Sequence, residues 1–269
     1  MPAAQNIRAR LAAGDVLIGT MLVEIRNPVI ARMLATTDID FVIIDMEHGT
    51  YSWETMQSII VMARASGMDA VVRVPEIRRE TIMKPLDAGA HALLIPQVND
   101  VAQAREIVEF AKYAPLGKRG TALGRAHCDY RAVDPCCYLA TANDGVGVII
   151  QIETQQAVAS VDALASVVGV DAMFVGPMDL SVDMGIPGEV GHPRIIDAIE
   201  TVVRAGERHG VATGIQLFNA QSVSAMAQRG VRMISYSTDV QLILGQLGAV
   251  VATVREREMD RSVERFKST

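Results

Sequence analysis

The chain has 269 residues, of which 50% are hydrophobic and 4% aromatic, and its formal net charge is -6. That length fits two small domains or one barrel of roughly 250 residues. The acidic balance and the lack of a basic stretch argue against a nucleic-acid partner, and no apolar run reaches the roughly 18 residues of a membrane span.

The first ten residues are polar and carry no apolar core of a secretion signal, so a cytoplasmic location is expected. Short aliphatic runs then alternate with longer amphipathic stretches. The runs fall at 17–23, 41–44, 70–74, 92–95, 146–152, 172–175, 211–217 and 231–236. Each is too short for a helix and too uniformly apolar for a half-exposed strand, which is the composition of parallel strands buried on both faces. Residues 53–66 place Met56, Ile59, Ile60 and Ala63 on one helical face, and 101–111 and 193–209 read the same way. Asn99 and Asp100 are candidate N-caps for the second of these helices, and Gly67 and Gly210 are candidate stops. Cys128, Cys136 and Cys137 are odd in number and form no CxxC pair, so neither a disulfide framework nor a zinc site is expected. The charged stretch 255–269 reads as a helix end with a frayed tail, or as an arm onto a neighbouring subunit.

Eight strand–helix units without a linker-like break predict an α/β fold, a (β/α)8 TIM barrel occupying 1–269 as one domain. The rival, an open doubly wound sheet, lacks its phosphate-binding Gly fingerprint after the first strand.

Barrel chemistry sits at the C-terminal ends of the strands, and polar residues collect there. The second strand runs into Asp45, Glu47 and His48, and the third ends in Arg73. The fifth delivers Gln151 and Glu153, and the sixth is followed by Gly176, Pro177, Met178 and Asp179. Glu153 and Asp179 lie on neighbouring strands. Two converging carboxylates repel unless a cation or shared proton intervenes, and a hard divalent ion would keep about four places open for water and substrate. The competing reading is a pair of solvated or Arg-paired acids. Asp45 could orient the His48 ring as a general-base dyad, or His48 could be a loop histidine paired for stability. Arg73 suits a carboxylate ligand, or a structural ion pair with Asp45 or Glu47. Only Lys84, Lys112, Lys118 and Lys267 occur, none at a strand end, which argues against Schiff-base chemistry.

Three strings carry a family resemblance: Phe41-Val42-Ile43-Ile44-Asp45-Met46-Glu47-His48-Gly49, Ile150-Gln151-Ile152-Glu153-Thr154 and Phe174-Val175-Gly176-Pro177-Met178-Asp179-Leu180-Ser181. With Lys118 to Arg125 and Ser237-Thr238-Asp239, they resemble the HpcH/HpaI aldolase family over about 18–254. The resemblance implies a phosphoenolpyruvate/pyruvate-type barrel. It also implies a divalent-metal-dependent aldolase that cleaves a 4-hydroxy-2-oxo acid to an aldehyde and pyruvate, through a pyruvate enolate the metal stabilises. Glu153 and Asp179 match the metal ligands, with Mg2+ or Mn2+ the expected ion and Co2+ admissible. Arg73 matches the carboxylate holder and His48 with Asp45 the base dyad. Gln151, Gly176, Pro177 and Met178 match substrate-binding positions, and Asp87 an acid near a subunit boundary. A homo-oligomer is implied, a hexamer built as a trimer of dimers with an exchanged C-terminal helix; Met226, Met233 and Met259 lie in its apolar C-terminal stretches. Met21, where some relatives carry a bulky aromatic, and the polar loop 127–131 depart from the pattern. That loop is expected to contact the aldehyde half. The rivals are an acyl-CoA lyase of malyl or citryl type and a non-catalytic barrel.

Overall fold

The computed structural model describes residues 6–267, and side-chain surroundings for 6–255. The expectations placed on residues 1–5, on the Met259 and Lys267 side chains and on the end of the tail lie outside this description.

The strands are β1 (Leu17–Leu22), β2 (Phe41–Asp45), β3 (Asp69–Arg73), β4 (Ala92–Ile95), β5 (Gly147–Ile152), β6 (Ala172–Val175), β7 (Ala212–Leu217) and β8 (Met233–Thr238). Each pairs in parallel with the next, and β8 closes on β1. The expected TIM barrel is thus the observed one, with strand ends shifted by one or two residues at most positions. Helices α1 (Ile7–Ala12), α2 (Val29–Leu34), α3 (Trp53–Ala65), α4 (Arg79–Asp87), α5 (Val101–Ala111) and α6 (Pro135–Ala142) occupy the first half. They are followed by α7 (Gln155–Ala159), α8 (Val161–Ala165), α9 (Pro177–Asp183), α10 (Pro193–His209), α11 (Ala220–Gln228) and α12 (Asp239–Lys267).

Strand side chains alternate between two apolar clusters, as a period of two requires. Phe41, Ile43, Val71, Leu94, Ile149 and Phe174 share one cluster with Met21 and Met233, and this fills the barrel lumen. Ile7 and Leu11 of α1 join it from the N-terminal end. Ile44, Val72, Leu93, Ile150 and Val175 join the other cluster, against the helices. The parity places the site. Asp45 continues the Phe41–Ile43 series, Arg73 follows Val71, and Gln151 and Glu153 follow Ile149, so all four side chains point into the lumen at its C-terminal mouth.

Caps set the helix boundaries. The Asp100 carboxylate accepts the Gln103 N–H and is the N-cap of α5; Asn99, the other candidate, does different work. Gly210 ends α10 in the left-handed region at φ 67°, which costs glycine nothing.

Candidate active site at the barrel mouth

A cavity of about 990 Å3 opens at the mouth, and Met21, Asp45, His48, Arg73, Gln151 and Asp179 are among its lining residues. Asp45 and Arg73 are direct partners in the β2–β3 register. The guanidinium donates from Nε to Asp45 Oδ1 (2.8 Å) and from Nη2 to Oδ2 (2.7 Å). On its remaining edge Nη1 meets Glu47 Oε2 at 3.1 Å, and Nη2 faces the Met21 thioether at 3.8 Å. Both members of the pair are buried. Two charges removed from water persist only when paired and hydrogen-bonded.

This pairing corrects the expected dyad. The structure does not bring the Asp45 carboxylate to the His48 ring, because Arg73, in register and equally buried, takes it. Asp45 Oδ1 instead accepts the backbone N–H groups of Glu47 (3.0 Å) and His48 (3.3 Å). It shapes the loop that presents His48 rather than orienting the imidazole. The His48 side chain is 68% exposed, and its nearest acid is Glu47, 3.9 Å away. Burial pushes the Glu47 carboxyl up, against the opposing pull of Arg73.

Glu153 is 2% exposed. Its Oε1 accepts the N–H of Gln97 (2.7 Å), and its Oε2 accepts Gln151 Nε2. Burial lifts its pKa to about 7, helped by the nearby charge of Asp179 and opposed by the Gln97 N–H. Gly176 makes room for this carboxylate: a Cβ there would stand 2.9 Å from both Glu153 Oε2 and Gln151 Nε2. Asp179 lies in the first turn of α9, directly beyond Gly176 and Pro177, and is exposed. Neither acid has an ion-pair partner within 4.0 Å among the described residues. No cluster of three or more His, Cys, Asp or Glu suited to a metal occurs among those residues either. Two hard oxygen donors, one buried at energetic cost without a direct ion pair among the described residues, fit a divalent cation that leaves most of its coordination sphere to water and substrate.

Three further residues complete the mouth, of which Gln216 alone carried no sequence signal. Glu47 completes the guanidinium cage. Gln216 lines the cavity and donates from Nε2 to the Ser237 carbonyl (3.0 Å). Its Oε1, like that of Gln151, has no hydrogen-bond partner among the described residues. The buried Asp239 carboxylate accepts the N–H groups of Val23 (3.0 Å), Glu24 (3.1 Å) and Ile25 (2.8 Å). The loop after β1 is thereby tied to the start of α12.

The loop at 127–131 does not meet its expectation within this chain. It packs on the outside of α3 and α4, where Asp129 pairs with Arg64 (3.0 Å) and His127 Nδ1 meets the Asp87 carbonyl (3.2 Å). None of its residues lines the cavity. Asp87 itself closes α4 and pairs with Arg119 at 2.7 Å, also away from the mouth. Lys112 is buried but bonds the carbonyls of Asn143 and Val146, just before β5, at the opposite end of the barrel. Among the described residues, no helix is long and apolar enough to cross a membrane.

Comparison with known proteins gives one consistent result. Residues 20–245 match the family model described as HpcH/HpaI aldolase/citrate lyase. A hydroxypyruvate/pyruvate aldolase of Roseovarius nubinhibens is 32% identical, over 90% of this chain and 94% of its own length. A 4-hydroxy-2-oxo-heptane-1,7-dioate aldolase of Escherichia coli is 33% identical, over 92% and 94%. The crystal structure of an HpcH/HpaI aldolase from Desulfitobacterium hafniense superposes with a TM-score of 0.90 at 34% identity, over 93% of this chain and 97% of that one.

Proposed function

The chain belongs to the HpcH/HpaI aldolase/citrate lyase family, and from that premise we propose that it is a carbon–carbon lyase of the metal-dependent pyruvate aldolase type. It reversibly cleaves a 4-hydroxy-2-oxo acid to an aldehyde and pyruvate. Glu153 and Asp179 would hold the divalent cation, Mg2+ or Mn2+. When bound, such an ion supplies positive charge where the 2-oxo oxygen becomes an enolate oxygen.

The chain's own residues do the rest. Asp45 occupies the Nε/Nη2 edge of Arg73, so the substrate carboxylate is received on the Nη1/Nη2 edge. There it replaces the weak thioether contact of Met21 and competes with Glu47, whose carboxyl burial already drives toward protonation. Gln151 and the Gly176–Pro177–Met178 backbone border the oxo-acid half. His48, exposed at the mouth, takes the proton of the 4-hydroxyl. The C3–C4 bonding pair then passes to the pyruvate half, the aldehyde departs, and a proton returned to C3 completes pyruvate. Asp45 serves this step through the backbone of the 45–48 loop.

One observation carries the reading. Glu153, buried and without an ion-pair partner within 4.0 Å among the described residues, lies against Gln151 and Gly176 of a cavity that presents Arg73 and Asp179. Chelator-treated enzyme resupplied with Mn2+ is expected to release pyruvate from a 4-hydroxy-2-oxo acid, followed with lactate dehydrogenase. Failure on every such acid with both Mg2+ and Mn2+ would refute it.

The proposal extends to location and assembly: a cytoplasmic enzyme, one barrel domain, whose α12 is exchanged within a hexamer. Leu244, Leu247, Val250, Val251 and Val254 of α12 are all exposed, an apolar length that a single copy leaves in water.

A further inference from the structure

Gln97 stands two residues beyond β4 with a left-handed backbone, φ 57°, and its side chain is exposed. That conformation is unfavourable for a residue with a Cβ, and no burial of its own side chain compensates for it. What it accomplishes is direction: the Gln97 N–H points at Glu153 Oε1, 2.7 Å away.

Asn99 holds this arrangement. Its Nδ2 donates to the Gln97 carbonyl (3.0 Å), and its Oδ1 accepts the hydroxyl of Thr154. Its own N–H is fixed by Gln103 Oε1 (2.7 Å) on α5. Thr154 directly follows Glu153 and caps α7 by accepting the Ala157 N–H. The bonds close a ring from the Glu153 carboxylate through the Gln97 main chain (N–H and carbonyl), the Asn99 side-chain amide and the Thr154 hydroxyl back to the Glu153 main chain. On the far side, Gln151 Nε2 holds Oε2 beside Gly176, the strand end that leads to Asp179.

We propose that Asn99 is a positioning residue for the metal site. It locks the left-handed Gln97 peptide against the end of β5, so that Glu153 is fixed in one orientation before a cation arrives. The inference rests on Glu153 being a ligand, as proposed above. A ligand already immobilised by outer hydrogen bonds loses little freedom on binding, and loss of such an outer partner typically weakens metal affinity about 10- to 100-fold.

The test titrates Mn2+ into the chelator-treated full-length protein, reading free Mn2+ by electron paramagnetic resonance, with the metal-free Tm measured in parallel. Asn99→Ala removes both side-chain bonds. Asn99→Asp keeps the acceptor for Thr154 and turns the donor to Gln97 into a charged oxygen that repels its carbonyl, and it decides the matter should Asn99→Ala not fold. Both are expected to bind Mn2+ at least about 10-fold more weakly than the wild type. A merely structural role would lower the metal-free Tm and leave Mn2+ affinity at the wild-type value, which would overturn the proposal. Wild-type protein no better than Glu153→Gln would instead refute the ligand assignment, and this proposal with it. Tight binding by the wild type and both Asn99 variants, with loss in Glu153→Gln, refutes this proposal alone.

Discussion

Arg73 grips Asp45 at two points, 2.8 and 2.7 Å, directly across the β2–β3 register at the mouth of the barrel. The pair fixes which edge of the guanidinium is left for an anion, and it anchors the loop that carries His48. Both functions depend on a carboxylate at position 45.

Asp45→Asn should therefore damage stability and activity together. It leaves Arg73 buried with Glu47 as its remaining anion. Removing one partner of a buried pair costs about 3 kcal/mol, read as a lower midpoint in urea denaturation. KM for the oxo acid should rise as Arg73 turns. Unaltered stability would show that Arg73 is not held as described.

A second pair, at the other end of the barrel, gives a pH prediction. Asp69 Oδ1 lies 3.1 Å from His91 Nδ1. Arg64 Nη1 meets His91 Nε2 at 3.2 Å, and because a guanidinium only donates, the neutral ring accepts at Nε2 and carries its proton on Nδ1, facing Asp69. Burial lifts Asp69 to about 7, with Arg10 opposing and Asp40 assisting, and burial with Arg64 lowers His91 to about 4. Asp69, raised in the folded state, contributes stability that is lost as pH rises through about 7. His91, lowered in the folded state, contributes stability that is lost as pH falls from 6.5 toward about 4. The two titrations overlap with opposite sign, and since His91 is common to the wild type and Asp69→Asn, the difference between those two proteins isolates Asp69. The metal-free wild type should lose more stability than Asp69→Asn as pH rises from 3.8 to about 7, because the variant's amide does not titrate and its oxygen can still accept the His91 Nδ1 proton. Parallel stability curves for the two proteins would contradict the assignment.

Assembly makes a third prediction. Leu244 and Leu247 are 58% and 60% exposed on α12, so Leu247→Lys should shift the protein to smaller species in analytical ultracentrifugation. A wild type already monomeric at micromolar concentration would refute the proposed exchange.

The barrel was legible because its strands are written locally: eight short aliphatic runs, each punctuated by caps such as Asp100 and Gly210. The mouth residues were legible because polar side chains interrupt those runs at the strand ends. What lies between strands was not. An ion pair of Arg73 with Asp45 or Glu47 was one of two readings open in the sequence, and the strand register selects it, whereas the Asp45 to His48 spacing suggested a local dyad. Gln97 is a left-handed residue without glycine's compositional mark. Asn99 reads as an N-cap by position, yet Asp100 caps α5 and Asn99 bonds to Gln97 and Thr154. The loop at 127–131 looked substrate-facing by its polarity, but long-range partners, Arg64 and Asp87, place it on the outer wall.

A cation held by Glu153 and Asp179, as proposed, should promote formation of a pyruvate enolate. The most direct measurement is exchange of the pyruvate methyl protons with deuterium, followed by proton NMR in D2O with no aldehyde present. With Mg2+ the wild type should erase the methyl signal, and chelator treatment or Glu153→Gln should each abolish the exchange. Exchange that persists at the wild-type rate in Glu153→Gln, or after chelation, would contradict the account.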